Sequence, residues 1–139
     1  LSRKTFRLFE YIGLKRGYRA EDRTEEVLKE MDLDYKRSAR GSEEDKKGID
    51  FQVWIGRQHL LIDVKSSQKG AEEVMKHNRE NKTFVFPLVV RPRESKNTIK
   101  QKIRFLISKH REFITDIQQN GRKEVENKWT DPRMWQQEA

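Results

Sequence analysis

The chain contains no cysteine, which excludes disulfides, thiolate catalysis and cysteine-based zinc sites together. Apolar residues are scarce as well, at 33% of the 139 positions. No apolar run approaches the roughly 18 residues of a membrane span, and no secretory h-region is visible. Internal repeats and low-complexity tracts are absent. The three histidines, His59, His77 and His110, are scattered without a metal-binding spacing. Lack of cysteine and of membrane segments suits a reducing, cytoplasmic (intracellular) setting.

Charge is what the sequence has in abundance. Asp, Glu, Lys and Arg make up 39% of residues, and the formal net charge is +8. A pI near 9.8 favours an anionic partner, and nucleic acid is the most economical one. With so little apolar material, the few concentrated apolar segments must form most of a single modest core.

Those segments set the expected order of elements. Phe6, Phe9 and Ile12 predict an opening helix over about 3–13, and Ala20, Thr24, Val27, Leu28 and Met31 predict a second over about 20–31. A short strand is expected over 34–37. The stretch SARGSEEDKKG reads as an exposed, mobile loop. Ile49–Ile55, a turn at Gly56-Arg57, and Gln58–Lys65 read as a β-hairpin. GAEEVMKHNREN predicts a short helix and TFVFPLVV a strand buried on both faces. A long helix over about 98–119, capped by Asn97, carries Ile99, Ile103, Leu106, His110, Phe113 and Ile117 on one face. The tail from 120 to 139 either docks through Trp129 and Trp135 or stays loose. The expected fold class is α/β: one domain, core about 18–119, with helices packed on a central sheet.

The hairpin poses a chemical question. Side chains alternate across a strand, so Phe51, Val53, Ile55, Leu60, Ile62 and Val64 can face a core while Asp50, Asp63 and Lys65 gather on the opposite side. Two carboxylates held close on a rigid hairpin repel unless a cation bridges them. Hard oxygen donors suit Mg²⁺ or Mn²⁺. A lysine two residues beyond a ligand can orient an activated water or stabilise developing negative charge.

This arrangement resembles the active site of the PD-(D/E)XK nuclease superfamily, the restriction-endonuclease-like fold. Gly48-Ile49-Asp50 matches its first element, with Ile49 standing where the family pattern has proline, and Asp63-Val64-Lys65 matches its second. The same tripeptide pattern recurs at 34–36, 44–46, 45–47, 80–82, 94–96 and 126–128, so context singles out 63–65: a helix with a Glu, a hairpin, an Asp at its start, then a helix and a buried strand. The resemblance covers roughly residues 18–92.

The family's upstream Glu should come from the helix over 20–31, where three carboxylates compete. At about 100° per residue Glu21 lies at the edge of the apolar stripe, Glu25 further out and Glu26 nearly opposite. The opening RGYRAEDRTEEVLKEMDLDYKRS is also similar to archaeal-type Holliday-junction resolvases, and that likeness selects Glu21, with Glu25 as second choice.

The resemblance implies a mixed central β-sheet flanked by α-helices and a Mg²⁺- or Mn²⁺-dependent endonuclease acting on DNA, in repair or recombination. Asp50, Asp63, the Val64 backbone carbonyl and Glu21 would hold the metal, and Lys65 would complete the catalytic set. Lys36, Arg37, Arg40, Lys46, Lys47, Gln52, Ser66 and Ser67 are candidate nucleic-acid contacts, extended by Lys100, Lys102, Arg104, Lys109 and Arg111 on the long helix. No membrane partner is expected, and a homodimer follows if both strands are cut. The alternative is a non-catalytic nucleic-acid-binding or assembly module on the same fold. A blander alternative leaves Asp63 and Lys65 as a solvated ion pair on an exposed sheet face.

Overall fold

Alternating apolar residues make strands of 51–55 and 58–65, and the computed structural model, which describes residues 19–80 and 83–131, pairs them as an antiparallel hairpin. These are β2 (Phe51–Ile55) and β3 (Gln58–Lys65). Ile55 faces Gln58 across the two-residue turn, and Gly56 takes the left-handed φ of 59° that a tight hairpin turn requires. β1 (Asp34–Arg37) pairs antiparallel with β2, and β4 (Phe86–Val89) pairs parallel with β3. The result is a mixed four-stranded sheet in the order β1-β2-β3-β4.

Parallel pairing needs a crossover, which α3 (Gln68–Glu80) provides. All four residues of β4 are buried, as a continuous apolar run demands. Among the described residues β4 is the last strand of the sheet, and Pro87, which has no N–H to donate, lies opposite Asp63 in it.

Helices flank the sheet. Residues 19–30 form α1, whose Thr24, Val27 and Leu28 are fully buried at helical spacing. α4 (Lys96–Asn120) buries Ile99, Ile103, Leu106, His110 and Phe113 along one stripe. One apolar cluster joins Leu28, Phe51, Ile62, Met75, Leu88, Ile103 and Trp129. Among the described residues, no helix is long and apolar enough to cross a membrane.

Three local expectations change, and of the tail's two alternatives docking is the one seen. SARGSEEDKKG is not an open loop: it holds the short helix α2 (Glu43–Lys46). Ser42 Oγ accepts the Asp45 N–H at 3.2 Å, while Asp45 Oδ2 accepts the Gly41 N–H at 2.9 Å, a reciprocal cap that the charge-rich composition conceals. The long helix starts two residues early because Ser95, not Asn97, caps it, its Oγ accepting the Thr98 N–H at 3.1 Å. The tail folds as α5 (Arg122–Trp129), docked through buried Val125 and Trp129. Trp129 Nε1 also donates to Asp116 Oδ2 at 2.9 Å. Lys102 does not decorate the surface. It is 4% exposed, donates to the Val89 carbonyl at 2.9 Å and pairs with Glu94. The expected opening helix and Trp135 lie outside the described residues.

Candidate functional site

Asp63 sits where β3 is most deeply packed, with Ile62 beside it fully buried, and is itself only 8% exposed. The register pairs Phe51 with Ile62, which sets Asp50 against Asp63. Asp50 stands one residue before β2, yet its N–H donates to the Ile62 carbonyl and its carbonyl accepts the Ser38 N–H, both at 2.9 Å. Its backbone is therefore clamped on both sides. Its side chain is fixed as well, because Oδ2 accepts the Val64 N–H at 2.7 Å. Lys65 Nζ lies 3.7 Å from Asp63 Oδ2 at the end of the strand.

α1 brings a third carboxylate to this point. Glu21 interacts with Asp50, and Asp50 in turn with Asp63, so the proton affinities of three acids are coupled. Burial and the Asp50 carboxylate raise the Glu21 carboxyl to about 7. Burial, together with the Asp63 charge, raises Asp50 to about 6. Burial likewise pushes Asp63 up, against the pull of Lys65. Such carboxyls share protons at neutral pH because full ionisation would set like charges together in a poorly solvated site.

The three Glu candidates separate clearly. Glu25 is taken up by the Tyr35 hydroxyl at 3.0 Å and by Arg37 at 3.3 Å. Glu26 pairs with Lys96 at 3.2 Å on the surface. Only Glu21 reaches Asp50. Arg37 on β1, placed in the DNA-contact set by its charge, has its guanidinium among the acids of α1: Asp22 at 2.7 Å, Glu21 and Glu25 at 3.3 Å each.

The other nucleic-acid candidates are dispersed. Lys36 is exposed opposite Gln52, and Gln52 Oε1 is 2.8 Å from His59 Nε2. Arg40 and Ser66 are exposed on connecting segments. Ser67 Oγ accepts the Gly70 N–H at 3.2 Å at the start of α3. Lys46 and Lys47, by contrast, lie next to the acids and help line a cavity of about 470 Å³ that contains Asp63 and Lys65.

Two glycines complete the geometry. Gly48 has a φ of +79°, and a Cβ there would stand 3.0 Å from Asp63 Oδ2. Gly70 is the third residue of α3, in its first turn. A Cβ there would meet Lys65 Cβ at 3.0 Å and its Cγ and Cδ at 3.2 Å, so the absent side chain lets the helix lie on the lysine stem. The sequence reading missed Gly70, although a glycine in a helix right after the motif was the available signal.

No three or more His, Cys, Asp and Glu side chains among the described residues are arranged as a ready metal-holding group. The donor chemistry nevertheless fits a hard divalent cation. Asp50 and Asp63 offer carboxylate oxygens under mutual repulsion, and the Val64 carbonyl belongs to a residue that Asp50 already holds. What the arrangement brings together is a set of buried acids with raised proton affinities beside the Lys65 ammonium. No protein-family model, no curated protein and no solved structure matches the chain.

Proposed function

We propose that the protein is a metal-dependent nuclease of PD-(D/E)XK type, on a restriction-endonuclease-like scaffold, hydrolysing phosphodiester bonds in DNA. The observation that carries this reading is the convergence of Asp50, Asp63 and Glu21 with Lys65 Nζ 3.7 Å from Asp63. A structural ion pair needs one carboxylate. Three acids at the cost of raised proton affinities indicate a site built for a cation.

Asp50, Asp63 and the Val64 carbonyl would hold Mg²⁺ or Mn²⁺, with Glu21 beside them, and such an ion would supply charge neutralisation at the phosphate and a more acidic water. Lys65 orients the attacking water and offsets the negative charge that develops on the phosphoryl oxygens. Arg37, fixed by Asp22 and Glu25, holds Glu21 toward the site and favours its ionised form. The water oxygen bonds to phosphorus as the bond to the 3′ oxygen breaks, leaving a 5′-phosphate and a 3′-hydroxyl.

Product ends test this chemistry. Fragments cut in Mg²⁺ should carry 5′-phosphates and 3′-hydroxyls, and Lys65→Met should lower the rate at least ~100-fold while substrate still binds. Fragments ending in a 3′-phosphate overturn the mechanism. The second reading, a non-catalytic binding module, draws on the lack of a ready three-group metal cluster among the described residues. It predicts binding with no cut product in either metal.

A further inference from the structure

We propose that the cavity between β3 and α3 receives one unpaired nucleotide of the strand to be cut, so that single-stranded or flapped nucleic acid, not continuous duplex, is the substrate class. The inference rests on the nuclease reading above and adds its substrate. The cavity holds about 470 Å³, within the range of sites that enclose small molecules. Asp63 forms part of its lining and is only 8% exposed. A phosphate that reaches Asp63 must therefore enter the concavity rather than rest on a convex surface.

The walls suit a nucleotide. Lys46, Lys47, Lys65 and His77 line the cavity as possible phosphate donors, against the single carboxylate of Asp63. Val74 and Val85, 4% and 6% exposed, provide an apolar wall for the sugar and base. Asn78 is structural there: its amide donates to the Val85 carbonyl at 2.7 Å and accepts the Val85 N–H at 2.9 Å. The wall thus offers apolar contact without that amide as a base reader, which fits weak sequence preference. Gly48 keeps the Asp63 side of the cavity open, since a Cβ there would press on its carboxylate. A duplex turns its bases inward and presents only backbone to such a mouth. Entry of a whole nucleotide costs unpairing and unstacking, least for a base already unpaired.

The test is fluorescence anisotropy in EDTA with a labelled single strand and its fully paired duplex, followed by Mg²⁺-dependent cutting of both. Wild type should bind the single strand about tenfold more tightly, and a variant combining Lys46→Ala, Lys47→Ala and His77→Ala should lose most of that preference. All three positions are exposed, so the fold should persist. Equal affinity for the two forms, or equal losses in the variant, overturns the cavity assignment even if duplex is cut. Preferential binding with no cutting in Mg²⁺ or Mn²⁺ supports the cavity and overturns the nuclease reading instead.

Discussion

The Val64 N–H donates to Asp50 Oδ2 at 2.7 Å, joining residues 14 apart in sequence and making a side chain do the work of a strand-ladder acceptor. One carboxylate oxygen is thereby committed to the fold.

Separate consequences follow for two substitutions at Asp50. Asp50→Ala removes the acceptor of a partly buried N–H and should cost about 1–3 kcal/mol in urea unfolding. Asp50→Asn keeps an acceptor and removes a repelled charge, so it should unfold at a urea midpoint at or above wild type. Both should abolish cleavage. A destabilised Asp50→Asn contradicts the assignment of this oxygen.

Gly48 and Gly41 form a matched pair. Their φ values are +79° and +77°, but a Cβ on Gly41 meets nothing within 4 Å, whereas one on Gly48 stands 3.0 Å from Asp63 Oδ2. Each Gly→Ala change carries about 1–2 kcal/mol of left-handed backbone strain. Gly48→Ala alone should also displace Asp63 and cut the rate at least tenfold. Equal activity in the two variants means that Asp63 is not held at that wall.

Glu21 and Asp50 titrate near 7 and 6 in the folded chain, above their ordinary 4.5 and 3.8. Over that window the folded protein keeps protons that the unfolded chain has released, so stability falls as pH rises from about 4 through 7. His110 acts in the opposite sense. Burial lowers it from 6.5 to about 4, so the unfolded chain takes up a proton the folded one refuses, and stability rises with pH across that interval. Metal-free melting curves should therefore show a steeper loss of Tm between about pH 5 and 6.5 in His110→Phe than in wild type. Asp63→Asn, which lowers the proton affinity of Asp50, should flatten the loss and raise Tm at neutral pH. Added Mg²⁺ should raise Tm more at pH ~7.5 than at pH ~5.5, because protonated carboxyls bind it poorly.

Arg37 lowers the proton affinity of Glu21 by charge and hydrogen bonding. Arg37→Gln should let Glu21 rise further and shift the acid limb of the rate–pH profile upward by about one unit. If Arg37 serves only to contact DNA, the variant weakens binding and leaves that limb in place.

Much of this was legible in the chain itself. Period-two alternation around Gly56-Arg57 specifies a hairpin, and a hairpin's register fixes which residues face each other, so the nearness of Asp50 and Asp63 follows from local pattern. The unbroken apolar run at β4 and the stripe of α1 are equally local signals. What stayed hidden depends on tertiary contact. Arg37 looks like any surface cation until α1 lies beside β1, and Lys102 is marked as buried by the Val89 carbonyl and the Glu94 carboxylate that receive it. The reason for a glycine at Gly70 is visible only once Lys65 is beneath it.

The most direct measurement compares wild type with purified, folded Asp63→Ala on labelled single strand, duplex, flap and four-way junction, each with Mg²⁺, Mn²⁺ or EDTA. Wild type should cleave only with metal, most strongly where a nucleotide is unpaired, and the variant should not cleave. Cleavage retained by Asp63→Ala, or no cleavage by wild type on any substrate with either metal, would contradict the nuclease reading.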